Sequence, residues 1–175
     1  MSSKLAEKFK AKGEILIERD LSQHMLFISA SSLAATGTPA GERTEEQAQN
    51  QTAQLADTLI KELQDADTII IGAPVYNFGP PASLKAWADL VVRAGTTFRY
   101  SENGPEGLLK DKKAYIIAVS GGTPIDADID FMSGWLKFIL GFIGISDVEM
   151  IVADGIFGQG GEQKIEAASQ AVAYI

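Results

Sequence analysis

The stretch 68–89, TIIIGAPVYNFGPPASLKAWAD, constrains the fold more than any other part of the chain. Its first four residues, Thr68-Ile69-Ile70-Ile71, are apolar and largely β-branched, the pattern of a strand buried on both faces. Gly72-Ala73-Pro74 should end that run, because proline has no N–H to give a sheet ladder. Val75-Tyr76-Asn77-Phe78 and Gly79-Pro80-Pro81 follow, after which Leu84, Trp87, Leu90 and Val91 recur at helical spacing. Pro81 suits a first helical position, where a missing N–H costs nothing. The unit is strand, loop, helix, with an aromatic and an amide exposed at the strand's C-terminal end. Open α/β sheets bind their ligands at that end.

The same alternation runs through the chain. Residues 14–18, 113–120 and 149–153 read as three more strands, giving four with the one at 68–71. Leu5 and Phe9 share one face of a first helix, with Ser2 or Ser3 as its cap and Gly13 as its stop. Thr44-Glu45-Glu46-Gln47 is a capping box and predicts a helix running to about residue 65. Ile129, Met132, Leu136, Ile139, Leu140 and Ile143 mark a further helix stopped at Gly144. Ile165, Ala168 and Val172 mark the last, from about residue 163. Residues 22–41 read as loop, interrupted by residues 25–28, which fit a helical turn and a short strand equally. Residues 96–111 form a connection long enough to expect a functional or interaction role. Strands alternating with helices predict a doubly wound parallel sheet, in one domain spanning residues 1–175.

Composition narrows the chemistry. A net charge of −8 argues against nucleic acid and anionic membrane as partners. With no cysteine there is no disulfide, thiolate nucleophile or sulfur metal site. His24 is the one histidine and has no second ligand pattern near it, so no metal is expected. The apolar run 138–145 is too short to span a bilayer, and the N-terminus has no signal-peptide pattern, so the expectation is a cytoplasmic protein. Gly121-Gly122 directly follows the strand at 113–120 and lets backbone approach a ligand closely. Asp20 and Asp154 alone do not make the acidic cluster of a phospho-receiver of this topology.

Several motifs carry a resemblance. Pro74-x-Tyr76-Asn77, Leu84-Lys85 and Asp89 are followed by Arg93-Ala94-Gly95-Thr96-Thr97-Phe98-Arg99-Tyr100. Glu102-Asn103-Gly104-Pro105-Glu106-Gly107 and Gly141-Phe142-Ile143-Gly144 come in the same order. From about residue 44 to the C-terminus the chain resembles the FMN-dependent NADH-azoreductase and NADH:quinone oxidoreductase family. The resemblance implies a flavodoxin-like fold, a homodimer, FMN as cofactor, and NADH or NADPH as co-substrate for reducing quinones and azo compounds in ping-pong order. No catalytic side chain is implied, because the flavin supplies the chemistry. It makes Val75, Tyr76, Asn77 and Phe78 one flavin loop and Val119, Ser120, Gly121 and Gly122 the other. Ser2 matches the last serine of the family's phosphate loop. Tyr100 and Phe142 match aromatics on the substrate side of the flavin, near the dimer interface.

Two departures qualify that resemblance. Val119-Ser120 stands where the family has serine first, before the glycine pair. The chain begins where the family's first helix begins, so the first strand and most of the phosphate loop have no counterpart. The strand at 14–18 is then expected either to leave a gap beside the 68–71 strand or to move in and pair with it. The inward move removes the phosphate site and predicts weak FMN binding. A flavin-free remnant acting as a structural or interaction protein is the alternative function.

Overall fold

The structure is a computed structural model and describes residues 1–23, 28–38 and 40–175. His24 and residues 25–27 of the undecided run lie outside the described residues. In chain order the elements are α1 (Ser2–Ala11), α2 (Ala30–Gly37), a 3₁₀ turn (Ala40–Glu42), α3 (Glu45–Ala48), α4 (Gln51–Asp65), β1 (Thr68–Pro74) and α5 (Ala82–Val91). They continue with β2 (Phe98–Ser101), β3 (Gly104–Gly107), β4 (Lys113–Val119), α6 (Ser133–Ile143), β5 (Asp147–Ala153) and α7 (Gly161–Tyr174).

β1, β4 and β5 pair in parallel in that order, with Thr68 opposite Lys113 and Lys113 opposite Asp147. α4, α5 and α6 cover one face, where Leu59, Leu84, Trp87, Leu136 and Leu140 join Ile69, Ile71 and Ile116 in the larger core. α1 and α7 cover the other, where Leu5, Ala168 and Val172 meet Tyr115, Ile117 and Ile151. Helices on both faces of a parallel sheet are the doubly wound architecture that the alternation predicts.

The strand count is a correction: among the described residues the parallel sheet has three strands, not four. Residues 14–18 form no strand; Ile15 is 94% exposed and Ile17 55%. Strand propensity measures fit to a half-buried pleated surface, and nothing supplies such a surface here. No backbone hydrogen bond joins these residues to β1 among the described residues, so the inward move does not occur.

β1 is also longer than expected, running through Gly72, Ala73 and Pro74. The Val75 N–H donates to the Val119 carbonyl at 2.8 Å. Backbone donors alternate between the two edges of a strand, so the Pro74 nitrogen lies on the edge away from β4, where no donor is required. As an edge strand β1 buries Ile69, Ile71 and Ala73 while Ile70 is half-buried; burial on both faces belongs to β4, whose residues 114–118 are all buried.

Helix boundaries follow the caps. The capping box forms, with the Gln47 N–H donating to Thr44 Oγ1 at 3.3 Å and the Thr44 N–H donating to Gln47 Oε1 at 3.0 Å. It opens only the single turn of α3. Asn50 Oδ1 then accepts from the Thr52 and Ala53 N–H groups at 3.0 and 3.2 Å and starts α4, so one expected helix is two. Pro81 sits in the capping position before α5 rather than inside it. Met1, not Ser2 or Ser3, occupies the capping position of α1, and Gly13 at φ +89° follows its end.

The 96–111 connection is a β2–β3 hairpin, with Phe98 opposite Gly107 and Ser101 opposite Gly104. Its base is tied by Thr97, whose buried hydroxyl accepts from the Arg93 N–H at 2.9 Å and donates to the Val91 carbonyl at 2.7 Å. Its return strand lies against the end of α6: a Cβ on Gly107 would stand 2.1 Å from the Gly144 nitrogen.

Candidate functional site

β1 delivers the chain into a two-residue turn at the ligand edge of the sheet. The Tyr76 N–H donates to the Gly79 carbonyl at 2.9 Å and the Gly79 N–H donates back at 3.1 Å. Between them Asn77 and Phe78 both have positive φ, +47° and +69°, the signature of a type I′ turn. Such turns favour Asn-Gly, and a phenylalanine there costs about 1–3 kcal/mol of backbone strain. The strain is held by neighbours, since the Phe131 N–H donates to the Phe78 carbonyl at 2.9 Å. No hydrogen bond among the described residues engages the N–H of Asn77 or of Phe78. Tyr76, Asn77 and Phe78 are exposed, while Val75 is buried and belongs to the core.

β4 delivers the second loop beside the first. The Val119 carbonyl is taken by the Val75 N–H, which binds the two loops at their roots. Ser120 is buried and its backbone is committed on both sides, its N–H donating to Ala153 and its carbonyl accepting from Ile156, each at 3.1 Å. Gly122 faces open space: a Cβ built there would meet nothing within 4 Å. The strand ends thus bring Val75 to Phe78 and Val119 to Gly122 together at one edge of the sheet.

Ser2 reaches the same edge. Its Oγ lies 3.3 Å from where a Cβ on Gly72 would stand. A cavity of about 220 Å³ there is lined by Met1, Ser2, Gly72, Ala73, Pro74, Ile117 and Val119. No side chain caps the start of α1, so the N–H groups of its first turn are unsatisfied within the helix and face this edge. A bare helix N-terminus favours a phosphate.

Two aspartates fasten this edge; the sequence reading passed over Asp130 and weighed Asp154 only as an acid of a phospho-receiver. Asp130 accepts from the Met132, Ser133 and Asp126 N–H groups at 2.9, 3.0 and 2.9 Å and so fixes the turn that leads into α6, which begins at Ser133. Burial pushes its carboxyl up, but the hydrogen bonds from the Ser133 hydroxyl and these amides outweigh burial and hold it below the usual carboxylate range. Asp154 follows β5 and accepts from Lys164 at 2.8 Å and from the Ile125 N–H at 2.9 Å. The Lys164 bond, then the Ile125 amide, hold its carboxyl low. Asp130 stands three residues before the first helical residue, with Met132 in the capping position, so it carries no standard capping signal. Asp154 carries no local signal, because Ile125 and Lys164 reach it only through the topology.

Tyr100 and Phe142 come together, but elsewhere. Phe98 lies between them, 5.4 Å from Tyr100 and 4.6 Å from Phe142 by ring centroids. Phe142 sits at the C-terminal end of α6. The helix begins beside Phe78 and rises about 16 Å over its length, so this aromatic cluster stands far from the two loops within one chain. Tyr100 is 76% exposed. Among the described residues no group of His, Cys, Asp and Glu is placed to hold a metal ion, and no helix is long and apolar enough to cross a membrane.

Comparison with known proteins places the fold. A family model described as flavodoxin-like fold matches residues 1–175. An FMN-dependent NADH:quinone oxidoreductase of Erythrobacter litoralis is 54% identical over 174 residues, covering 98% of this chain and 87% of the relative. FMN-dependent NADH:quinone oxidoreductase 1 of Hahella chejuensis is 44% identical over 185 residues, covering 99% and 90%. Among solved structures, an azoreductase from Bacillus anthracis superposes with a TM-score of 0.84 at 28% identity, covering 99% of this chain and 89% of that one.

Proposed function

The chain belongs to the flavodoxin-like fold family, and from that premise we propose that it is an FMN-dependent oxidoreductase passing hydride from NADH, by way of FMN, to quinones and azo compounds. All 175 residues act in this reading as one domain. The observation that carries it is the convergence, at one sheet edge, of a strained turn with two unengaged N–H groups, a glycine pair and an uncapped helix N-terminus. A planar, electron-accepting ring with a phosphate tail asks for those three features. The flavin-free alternative is not favoured, since the close relatives are named for FMN dependence.

When bound, FMN supplies the redox chemistry, taking hydride from a reduced nicotinamide and passing it to the acceptor. The residues that would hold the ring are Asn77 and Phe78 on one loop and Gly121 and Gly122 on the other, through their backbone amides. Donors fixed there before reaction would stabilise negative charge without reorganising. The turn with positive φ leaves its two amides outside the hydrogen bonding of the sheet. Val75 and Val119 join the two loops through their shared hydrogen bond. Ser2 and the first turn of α1 would hold the phosphate. Nothing in this scheme requires a side-chain acid or base.

Tyr100 and Phe142 enter through a second copy. One chain keeps them at the far end of α6, so a homodimer that sets this aromatic cluster over the partner's two loops supplies the substrate wall. Sedimentation at micromolar concentration should give a dimer, and a monomer refutes this part. For the activity, titration with FMN should give one bound flavin per chain. Anaerobic NADH should bleach its blue absorbance and a quinone should restore it. A colourless protein that takes up no FMN refutes the reading.

A further inference from the structure

Phe157 has no part in the scheme above, yet it stands beside the glycine pair. Ile156 and Phe157 continue past β5 and donate to the Ser120 and Gly121 carbonyls, each at 3.1 Å. The ligand edge therefore carries three parallel strips: the 76–79 turn, the 120–122 loop and residues 156–157. The phenyl ring lies against Gly121 in the space a side chain would fill: a Cβ there would stand 2.5 Å from Cε2 and 2.6 Å from Cδ2. The ring belongs to neither core cluster and is 89% exposed. It is an apolar plate, fixed at its backbone and seated on a glycine of the ring loop.

We infer that Phe157 is a specificity-determining residue whose ring stacks against the second ring of a two-ring quinone or azo acceptor. The inference rests on the reading that FMN lies against residues 120–122. An acceptor ring placed over the flavin must extend across Gly121 before it meets Phe157, so a single-ring acceptor gains nothing from it. The backbone beneath the ring is held by its hydrogen bond to Gly121, so stacking has only the side chain itself to fix. Offset aromatic pairs of this kind discriminate by about threefold to tenfold.

The test compares the FMN-loaded wild type with Phe157→Ala and Phe157→Tyr. The dissociation constants of 1,4-naphthoquinone and 1,4-benzoquinone for the oxidised protein are measured by calorimetry, with KM for both and the dissociation constant of FMN. In Phe157→Ala the naphthoquinone constants should rise about threefold to tenfold relative to those for benzoquinone, and Phe157→Tyr should restore them. The FMN constant should stay the same. A wild type that binds FMN, with an unchanged naphthoquinone-to-benzoquinone ratio in Phe157→Ala, overturns this inference alone. A wild type that binds no FMN overturns the flavin reading, and this one with it.

Discussion

Asp57 on α4 stands between two nearly buried arginines, and replacing it with asparagine should expose how much of the fold hangs on one carboxylate. Arg43 reaches it with both terminal nitrogens, at 2.5 and 2.9 Å, and Arg93 with one at 2.6 Å. The arginine side chains are 3% and 7% exposed and the carboxylate 35%. Arg43 joins the α2–α3 region to α4, and Arg93 carries the base of the β2–β3 hairpin. Removing one partner of a fully buried pair costs about 3–5 kcal/mol. Exposed pairs are worth about 0–1 kcal/mol, so the partly solvated Asp57 should cost about 2–3 kcal/mol. For a chain of 175 residues that is a fall in Tm of about 5–10 °C.

The pH dependence has a definite sign. The Arg43 hydrogen bonds first, opposed by burial and helped by Arg93, hold the Asp57 carboxyl below its usual range. A depressed folded-state pKa gives stability that is complete above the unfolded value, about 3.9, and is lost as pH falls through the folded value. The Tm gap between wild type and Asp57→Asn should stay constant above about pH 5 and close below about pH 4. Arg93→Met supplies the contrast. Its Nε and one terminal nitrogen are buried without a partner among the described residues. Methionine removes an excess buried charge and leaves Asp57 with Arg43, so it should cost less than half of what Asp57→Asn costs. Thermal melts followed by circular dichroism measure all three proteins. An Asp57→Asn shift under 2 °C, or an Arg93→Met loss as large, refutes the account.

Asn77→Gly should leave Tm unchanged or raise it, whereas Asn77→Val should cost about 1–2 kcal/mol, because only the β-branched residue resists positive φ. Gly107→Ala should be among the most damaging single substitutions, at or beyond the usual overpacking range of about 1–3 kcal/mol, since the new methyl meets α6 backbone at 2.1 Å. Equal urea midpoints for Gly107→Ala and the wild type would contradict that contact. Asn50→Ala should cost about 1 kcal/mol and more than Thr44→Ala, because Asn50 starts a helix of 15 residues and Thr44 one of 4; denaturant midpoints rank the two.

Those perturbations also mark how far the sequence could be read. β4 announced itself because its apolar run is long, whereas β5 was read from residue 149 and begins two residues earlier, at Asp147. The position of the two loops at the strand ends was legible because strand ends and a glycine pair fix where backbone is exposed. The strain at Phe78 was not, since φ > 0 at a phenylalanine has no sequence signal and is held by Phe131 from another element. Asp57 looked like one more polar residue of an amphipathic helix. Its importance comes from Arg43 and Arg93, 14 and 36 residues away.

The misreading of residues 14–18 as strand and the finding of a strand at 68–71 have one physical cause. Both runs carry β-branched residues, and local propensity scores them alike. Ile69 and Ile71 become strand because α4 and α5 cover one side of them and β4 pairs their backbone. Ile15 and Ile17 have neither cover nor partner, and their exposure follows. The free edge of β1 then matters to the site. Pro74 lies on it, α1 begins beside it, and Ser2 stands over Gly72 there. Among the described residues no strand pairs with that edge, so Ser2 and the start of α1 stand directly beside Gly72, Ala73 and Pro74.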